Sequence, residues 1–434
     1  MTLSNNLIIN NSKSLLGEIR IPGDKSISHR SIILGSLADG NLAISNFLSS
    51  EDCLCTISAM KQLGADITLD NNNVLIKGKG LFSLSQASGI IDAGNSGTLI
   101  RLLTGILATQ NFNSSITGDE SLKSRPMARI IDPLTKYGAK IESSNSKAPL
   151  NIMTTSYFQP INYVQEIASA QVKSCLMLAS LFIDAESHFY EKIPTRDHTE
   201  NLLEHFNYEI KRDKTSFSIK GCQKLIPKDI EIGSDISSAA FFIVAALITK
   251  GSNIVLPGIN INKYRIGILT VLKRMGARIN INNSRTISNE LVADIHVEYS
   301  QLRAIDLSGD IISTLIDELP ILFIACAASS GTSNISGIHE LRYKESDRIK
   351  AMESGLKAVG VNVSSTTDSI RIEGGEIFGG KVDSCDDHRI AMSFAIAGLI
   401  SKHSLTVNNT KNIATSFPSF IKLMREQGVQ VFEV

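Results

Sequence analysis

A repeated pair of segments is the feature of this 434-residue chain that most restricts its fold. The first segment has a polar start that contains glycine or serine, followed by a long apolar body. Its six copies begin at Gly23, Gly94, Ala168, Gly233, Ser313 and Asp383. Successive starts lie about 65 to 80 residues apart, which suits one compact α/β unit for each copy. A body that is apolar all round predicts a buried helix rather than a surface helix.

A second segment follows each copy of the first, and it is an amphipathic stretch that closes on a turn and an alternating strand. Glycine or asparagine just after a helix is a common stop, because these residues adopt the left-handed conformation at low cost. The six turn residues are Gly64, Gly138, Asn207, Gly276, Gly360 and Gly428. A long α/β chain can show helix–glycine–strand patterns by chance. Six copies of both segments in strict alternation argue against that explanation. The sequence therefore predicts an α/β (α+β) fold of six units, each with two helices and several short strands, divided three plus three.

Length and charge restrict the class of protein. A chain of this length predicts two domains. Lys plus Arg and Asp plus Glu both total 43, so no overall field favours nucleic acid or an anionic membrane. The N-terminal stretch lacks the pattern of a secretion signal, and the longest apolar runs fall short of the roughly 18 residues that a membrane span needs. The six cysteines lack zinc or redox spacing. These features predict a cytoplasmic protein without a metal, nucleic-acid or membrane partner.

The starts of the predicted buried helices carry an unusual number of polar residues. Helix N-termini bind anions through unpaired N–H groups and a partial positive charge. Residues 23–30 (GDKSISHR) add two cations and two hydroxyls, and residues 94–98 (GNSGT) add glycines that permit close approach. Residues 169–171 (SAQ) open the third helix, and residues 386–389 (DDHR) open the last. Each motif alone is also an ordinary helix cap. Their shared position in successive units favours a common anion-binding function.

The amphipathic segments supply a second set of charged side chains at their leading edges. These are Arg125 and Arg129 in LKSRPMAR, Arg196 in PTRDHTE, and Lys344, Glu345 and Arg348 in LRYKESDR. LRYKESDR alone is also compatible with a solvated helix start, in which Glu345 and Arg348 pair at i, i+3. Arg125 before Pro126 is likewise compatible with an ordinary loop end. Because the net charge is zero, any attraction for anions has to come from such local clusters.

In combination, these motifs resemble the 5-enolpyruvylshikimate-3-phosphate synthase family. The resemblance runs over nearly the whole chain, with GDKSISHRS, GNSGTLIRL, GDESLKSRPM, SAQVKS, RDHTE, LRYKESDRI and DDHRIAMS in the family's order. GDKSISHRS together with SAQVKS resembles the second of two bacterial classes. The resemblance implies a two-domain enolpyruvyl transferase fold of six βαβαββ repeats, three per domain, around an interdomain cleft. It places residues 1–22 plus 233–434 in one domain and residues 23–232 in the other.

The resemblance also implies a reaction and its substrates. The enolpyruvyl group of phosphoenolpyruvate is transferred to the 5-hydroxyl of shikimate 3-phosphate by addition and elimination, with release of phosphate. This reaction lies on the shikimate pathway to chorismate and the aromatic amino acids. Asp317, which lies in the fifth predicted helix segment (IDELP), would accept the hydroxyl proton. Glu345 would protonate the methylene carbon, and Lys25 would be the third catalytic residue. The resemblance implies no cofactor and no metal, and a monomer is the expected state.

Two sets of substrate-binding residues follow from the resemblance, residue by residue. For shikimate 3-phosphate they are Lys25, Ser26, Arg30, Thr98, Ser169, Ala170, Gln171, Arg196, Asp317 and Lys344. For phosphoenolpyruvate they are Lys25, Asn95, Gly97, Arg125, Gln171, Glu345, Arg348 and Arg389. The best-studied class has a second serine at Ala170 and a lysine at Thr415, so this chain departs from it at both positions. Thr415 is therefore left out of the expected site.

The charges of the substrates match the cations of these motifs. Two phosphates and two carboxylates bring roughly five to six negative charges at neutral pH. Seven cations are available, namely Lys25, Arg30, Arg125, Arg196, Lys344, Arg348 and Arg389. Arginine suits the planar, bidentate recognition of phosphate and carboxylate. This match is the strongest physical argument for the predicted function.

Two alternatives stay open at the level of sequence. UDP-N-acetylglucosamine enolpyruvyl transferase shares the fold and the donor, but it usually has a cysteine in the loop before its Arg-Pro. Here that loop reads GDESLKSRP, and the chain has no cysteine between Cys55 and Cys175. A non-enzymatic anion-binding repeat protein is the other alternative. It would have no need for Asp317 and Glu345 together with the cations.

Overall fold

The computed structural model describes residues 6–155, 157–166 and 168–434 of the chain. Its α-helices are α1 (Lys25–Leu37), α2 (Glu51–Gln62), α3 (Gly97–Leu107), α4 (Glu120–Ser124), α5 (Ala128–Lys136), α6 (Ala170–Ser180), α7 (His198–His205), α8 (Ile236–Ile248), α9 (Gly267–Arg274), α10 (Leu319–Ala327), α11 (Arg348–Ala358), α12 (His388–Ala397) and α13 (Phe420–Glu426). Short 3-10 helices span Asp310–Thr314, His339–Tyr343, Gly398–Ile400 and Lys411–Thr415.

The strands are short and distributed along the whole chain. They are β1 (Asn6–Ile9), β2 (Leu16–Glu18), β3 (Asn41–Ser45), β4 (Asp66–Asp70), β5 (Asn73–Lys77), β6 (Ile91–Asp92), β7 (Ser114–Thr117), β8 (Lys140–Ser144), β9 (Lys147–Met153), β10 (Asn162–Val164), β11 (Glu186–Tyr190), β12 (Ile210–Arg212), β13 (Ser216–Lys220), β14 (Ile230–Glu231), β15 (Asn253–Asn260), β16 (Arg278–Ile287), β17 (Glu290–Glu298), β18 (Asp306–Leu307), β19 (Thr332–Ser336), β20 (Val363–Ser365), β21 (Ser369–Glu373), β22 (Gly380–Asp383), β23 (Leu405–Asn408) and β24 (Val431–Glu433).

Six four-stranded sheets account for all of these strands. Their orders are β14-β3-β5-β4, β6-β7-β9-β8, β10-β11-β13-β12, β16-β17-β15-β2, β18-β19-β21-β20 and β22-β23-β1-β24. Each sheet contains one parallel pair of strands. The same four-stranded pattern in all six sheets confirms the sixfold repeat predicted from the sequence.

Three sheets are completed by a strand that lies far away in the sequence. Strand β1 pairs with both β23 and β24, so that Ile9 lies opposite Leu405 and Val431. Strand β2 pairs in parallel with β15, and β14 pairs in parallel with β3. The first strands of the chain therefore belong to sheets that the C-terminal half of the chain otherwise builds.

The chain divides into two compact units, each with its own hydrophobic core. One unit comprises Met1–Pro22, Gly233–Arg285 and Leu291–Val434, and the other comprises Gly23–Ile232 and Thr286–Glu290. The domain boundaries given above differ from these units at residues 286–290. That segment is held within the second unit, because Ser288 Oγ accepts from Glu231 N at 3.0 Å. The Glu290 Oε1 atom also lies 2.7 Å from His198 Nδ1.

The first segment of each repeat forms a buried helix, as predicted. These helices are α1, α3, α6, α8, α10 and α12. In α8 every residue from Ile236 to Leu247 is buried, and α10 is buried throughout. None of the helices in the described ranges has both the length and the apolar character to cross a bilayer.

The placement of Asp317 within the fifth helix is wrong. Asp317 lies in a turn, and α10 begins two residues later, at Leu319. Pro320 explains this start, because proline lacks an N–H group and fits the first turn of a helix. The carboxylate therefore comes from an irregular turn ahead of the helix.

The second helix of each repeat stops where the sequence predicts. Helices α2, α5, α7, α9, α11 and α13 each end two residues before the expected turn residue. All six turn residues have positive φ, from 58° at Asn207 to 115° at Gly138. This is the left-handed region, in which glycine and asparagine are favoured. The predicted helix stops are confirmed.

Candidate active site

The expected site residues gather at the N-termini of helices. Lys25 and Ser26 open α1, Gly97 and Thr98 open α3, Ala170 and Gln171 open α6, Arg348 opens α11, and Arg389 is the second residue of α12. A side chain caps each of these helices, from Asp24, Ser96, Ser169, Asp347 and Asp387. In Ser169 the cap uses the hydroxyl as an acceptor for Val172 N, at 3.4 Å. A hydroxyl that accepts in this way can still donate its own hydrogen.

Lys25 is held at the start of α1 by an acidic neighbour. Its ammonium lies 3.1 Å from Asp52 Oδ2 in the first turn of α2, and its side chain is 16% exposed. Asp52 is buried. The pair gives the ammonium a defined place while part of its surface stays open to a ligand. The sequence analysis did not single out Asp52, because nothing local links residues 25 and 52.

Arg125 is oriented by the GNSGT segment of the same unit. Its Nη2 donates to Asn95 Oδ1 at 2.7 Å and to Ser121 Oγ at 3.2 Å. The Asn95 amide in turn donates to Asp119 Oδ2 at 2.8 Å. Arg125 is buried, so this guanidinium has a fixed direction. The loop before Arg125-Pro126 is thereby tied to the start of α3.

Gln171 links the α6 and α3 helix starts. Its Nε2 donates to Thr98 Oγ1 at 3.1 Å, and its Oε1 accepts from Arg101 Nη1. Both partners belong to α3. The structure therefore brings Asn95, Gly97, Thr98, Arg125 and Gln171 into one group of neighbouring side chains. Arg101, one turn after GNSGT in α3, also belongs to this group.

Arg30 is more enclosed than its expected role implies. It is 4% exposed, and its guanidinium donates to Thr199 Oγ1 at 2.7 Å and to Ser174 Oγ at 2.8 Å. A third bond goes to Ser26 O at 2.9 Å. Arg196 is half-buried just before α7. The contacts of Arg30 and Arg196 with shikimate 3-phosphate stay predictions.

In the other unit, Lys344 and Arg389 both contact Asp317. The Lys344 ammonium lies 3.1 Å from Asp317 Oδ1. Arg389 Nη1 donates to the main-chain oxygen of Asp317 at 2.9 Å. Lys344 therefore pairs with the carboxylate, whereas Arg389 holds the main chain of the turn. Three predicted residues from distant motifs thus meet at one place in the unit.

Arg348 connects the two expected catalytic carboxylates. Its Nη2 lies 2.5 Å from Glu345 Oε2, and its Nη1 lies 3.9 Å from Asp317 Oδ1. Its Nε donates to Asp387 Oδ2 at 2.8 Å. Burial alone lowers the pKa of Arg348, but the nearby carboxylates, Asp387 first, outweigh burial and raise it. The i, i+3 pair of Glu345 and Arg348 is present, but Arg348 is 1% exposed, so this helix start is not solvated at Arg348.

Further polar residues form hydrogen bonds and ion pairs next to Asp317 and Lys344. Beside Asp317, Glu318 is buried and accepts a hydrogen bond from Ser237, whose hydroxyl also accepts from Arg265 at 2.7 Å. Arg342 donates to Thr367 O at 2.8 Å and contacts Asp347 at 2.5 Å. These roles were not predicted from the sequence. The high density of charged residues around LRYKESDR was the feature that could have indicated them.

Gly97 provides a prediction about the residues expected to bind phosphoenolpyruvate. A Cβ atom at Gly97 would lie 3.2 Å from Arg125 Nη1 and 3.3 Å from Arg101 Nη1. We expect Gly97→Ala to raise the KM for phosphoenolpyruvate by about tenfold, because it pushes the guanidinium ends aside. The fold should tolerate the change, since only flexible side-chain ends have to move. Steady-state kinetics measure the effect. Gly89→Ala, at an exposed position with open space, is the control and should leave KM unchanged.

His29 lies behind the helix starts and gives a prediction about pH. It is fully buried, with Nδ1 2.6 Å from Thr56 Oγ1 and Nε2 3.5 Å from Ser96 Oγ. Burial, followed by the charges of Lys25 and Arg30, holds the pKa of His29 well below its ordinary value of 6.5. The folded state therefore keeps this imidazole neutral at a pH where the unfolded chain binds a proton.

We expect the melting temperature to fall as the pH is lowered from about 7.5 to about 5.5, and to fall less in His29→Gln. Because the folded pKa of His29 is depressed, its contribution is fully present above pH 6.5 and is lost as the pH falls below that value. Thermal melts of both proteins at the two pH values measure this difference. An equal pH dependence of the two proteins would contradict the assignment.

The described residues contain no group of three or more His, Cys, Asp or Glu side chains arranged to hold a metal ion. The expected function needs none, and the chemistry of the two groups is that of cations and carboxylates.

Repeated α/β units, cation-bearing helix N-termini and carboxylates next to buried guanidinium groups define an anion-binding transferase of the two-domain, six-repeat class. A family model confirms this class and specifies it. The chain belongs to the EPSP synthase (3-phosphoshikimate 1-carboxyvinyltransferase) family, whose model matches residues 9–424.

Individual relatives agree with the family match. A 3-phosphoshikimate 1-carboxyvinyltransferase of Coxiella burnetii (strain CbuK_Q154) is 46% identical over 422 residues, which is 97% of this chain and 96% of the relative. The enzyme of Legionella pneumophila subsp. pneumophila (strain Philadelphia 1) is 47% identical, over 96% of this chain and 97% of the relative. A 2.37 Å structure of EPSP synthase from Acinetobacter baumannii matches with a TM-score of 0.88 and 41% identity, over 98% of this chain and 99% of that chain. The predictions of family and fold class are confirmed.

Proposed function

We propose that the chain transfers the enolpyruvyl group of phosphoenolpyruvate to the 5-hydroxyl of shikimate 3-phosphate and releases inorganic phosphate. The family and its relatives support this transferase activity over the nucleotide-sugar alternative and over a non-enzymatic repeat protein. The activity belongs to the shikimate pathway and to aromatic amino acid biosynthesis. The observation that carries the proposal is the group around Asp317. There Lys344 and Arg348 meet the carboxylates of Asp317 and Glu345, and Arg389 donates to the main-chain oxygen of Asp317.

Two sets of residues would hold the substrates. Around shikimate 3-phosphate we place Lys25, Ser26, Arg30, Thr98, Ser169, Ala170, Gln171, Arg196, Asp317 and Lys344. Around phosphoenolpyruvate we place Lys25, Asn95, Gly97, Arg125, Gln171, Glu345, Arg348 and Arg389. Fixed cations and helix N–H groups would replace the water around these anions, and that preorganisation is the largest expected contribution to catalysis.

The first chemical step forms a bond between the hydroxyl oxygen and carbon 2 of phosphoenolpyruvate. Asp317 accepts the hydroxyl proton, and Glu345 donates a proton to carbon 3. In the second step the bond from carbon 2 to the phosphate oxygen breaks while Glu345 takes a proton back from carbon 3, which restores the double bond. The proton held by Asp317 leaves with the phosphate. Lys344, 3.1 Å from Asp317, keeps that carboxylate ready to accept a proton.

Glu345 needs a proton to act as the acid, whereas Arg348 favours its charged form. A substrate phosphate that binds Arg348 would compete with Glu345 for the guanidinium. The ion pair would then weaken when the substrate arrives, and the protonated form of Glu345 would become easier to reach. This competition is our explanation for an acid that lies beside a cation.

We also propose that the protein acts in the cytoplasm as a monomer, without a cofactor. All six cysteines lie in the described ranges and are free thiols, which suits a reducing compartment. Light scattering after size exclusion would test the monomer.

A phosphate-release assay tests the proposed function directly. Purified protein is mixed with phosphoenolpyruvate and either shikimate 3-phosphate or UDP-N-acetylglucosamine. The proposal predicts phosphate release with shikimate 3-phosphate only. Release with the nucleotide sugar, or with neither acceptor, would contradict it.

A further inference from the structure

A lysine inside α6 has no role in the mechanism above. Lys173 is the fourth residue of α6, one turn after Ser169, and its side chain is 1% exposed. An ammonium removed from water destabilises the fold unless opposite charges and hydrogen bonds compensate. Its position in a buried helix therefore requires specific partners.

The Lys173 ammonium has three partners, and all three lie close to the Arg196 motif. It lies 2.7 Å from Glu200 Oε1 and 3.1 Å from Glu191 Oε2, and it donates to Thr195 O at 3.3 Å. Since an ammonium has three N–H groups, these contacts use all of them. Glu200 is 3% exposed and Glu191 is 13% exposed, so little water competes for the bonds.

These three acceptors fix the segment 191–197, which carries Arg196. Glu191 follows β11 directly, and Thr195 comes immediately before Arg196. Glu191 Oε1 also accepts from Thr195 N at 3.1 Å and from Thr195 Oγ1 at 2.6 Å. Glu191 and Thr195, near the two ends of the segment, therefore bond to each other and to Lys173. The third acceptor, Glu200, lies in the first turn of α7.

The next residue of α6 makes a second link to α7. Ser174 Oγ lies 2.7 Å from Thr199 Oγ1, and both hydroxyls accept from the Arg30 guanidinium. Two consecutive residues of α6 therefore hold the start of α7. Ser169, Ala170 and Gln171 lie at the N-terminus of the same helix α6.

We propose that Lys173 is a positioning residue that sets Arg196 against the N-terminus of α6 for the binding of shikimate 3-phosphate. This inference rests on the proposed function, in which both groups bind that substrate. Burial alone lowers the pKa of Lys173, but Glu200 and Glu191 outweigh burial and raise it. The residue therefore stays charged at working pH and keeps its three bonds.

We expect Lys173→Met to raise the Kd for shikimate 3-phosphate by about 10- to 100-fold. The KM for phosphoenolpyruvate, at saturating shikimate 3-phosphate, should stay within about twofold, since the donor-side residues are held by other contacts. Methionine keeps the packing volume, but Glu191, Thr195 and Glu200 lose their shared partner. Calorimetry and steady-state kinetics measure the two values. Equal losses for both substrates, or an unchanged Kd, would overturn the proposal.

Two further variants keep the test decisive. Lys192→Met removes an exposed cation from the same segment and should leave the Kd within about twofold. If Lys173→Met does not fold, Glu191→Gln weakens one of the three bonds and should raise the Kd by about threefold or more. A folded Glu191→Gln protein with unchanged affinity would refute the positioning role.

A double-mutant cycle separates this inference from the proposed function. If Lys173 acts through Arg196, the second substitution should add little to the first. The Kd of the double variant (Lys173→Met and Arg196→Gln) for shikimate 3-phosphate should lie within about twofold of the Kd of Arg196→Gln alone. Fully additive losses would overturn the inference. Wild-type protein that does not bind this substrate, or an Arg196→Gln variant with full affinity, would instead contradict the proposed function. If Arg196→Gln raises the Kd and Lys173→Met does not, the positioning role of Lys173 is refuted while the proposed function stands.

Discussion

Asp317→Asn should lower kcat by about 10²- to 10⁴-fold while the KM of each substrate changes by only a few-fold. Asparagine keeps the size of the side chain but cannot accept the hydroxyl proton. Lys344, 3.1 Å from Asp317, loses an ion pair, but the turn keeps the main-chain bond from Arg389. Substrate binding should therefore survive while the chemical step fails. Single-turnover measurement of phosphate release separates the two effects.

Asp310→Asn is the matched control for that experiment. Asp310 lies in the 3-10 helix just ahead of the Asp317 turn, and its side chain is exposed. The same change of charge at this position should leave kcat within about twofold. A kcat for Asp317→Asn within tenfold of wild type would exclude Asp317 as the base. Glu345→Gln tests the assigned acid in the same way, and near wild-type turnover would show that assignment to be wrong.

Arg348→Met should abolish measurable activity and lower the free energy of unfolding by about 3 to 5 kcal/mol. The guanidinium is 1% exposed and pairs with Asp387, which is fully buried, at 2.8 Å. Its removal leaves a buried carboxylate without its counter-charge and releases Glu345. Urea unfolding measures the stability, and the phosphate-release assay measures the activity.

A second substitution distinguishes the two consequences of losing Arg348. Arg348→Met combined with Asp387→Asn removes both charges, so part of the lost stability should return. Activity should not return, because the proposed contact with phosphoenolpyruvate is still absent. Recovery of activity in the double variant would mean that Arg348 serves the fold alone. A fully stable single variant would contradict the buried ion pair.

The sequence predicted the local part of the fold, because that part depends on neighbouring residues. The six apolar bodies became buried helices, and the six stops adopt positive φ. The places of β1 and β14 depend on pairing over long sequence separations, as between Ile9 and Leu405. No local pattern of residues encodes such a pairing.

The candidate site also has a part that local sequence predicts and a part that depends on contacts between distant residues. Helix caps and cations were visible in motifs, and the residues around Arg348 do meet within one unit. The partners that orient them were not visible, as Asp52 beside Lys25 shows. Asp317 was expected in a helix and lies in a turn, because Pro320 delays the start of α10. No role for Lys173 in SAQVKS was predicted, because Glu191 and Glu200 come close to it only in the folded chain.

The central claim is that cations from distant parts of the chain act on the same substrate. A crystal structure with shikimate 3-phosphate bound tests it most directly. We expect one molecule of this substrate to lie within about 3 Å of polar atoms of both Lys25 and Lys344. A bound molecule that contacts only one of these two lysines, with the other turned away from it, would contradict this proposal.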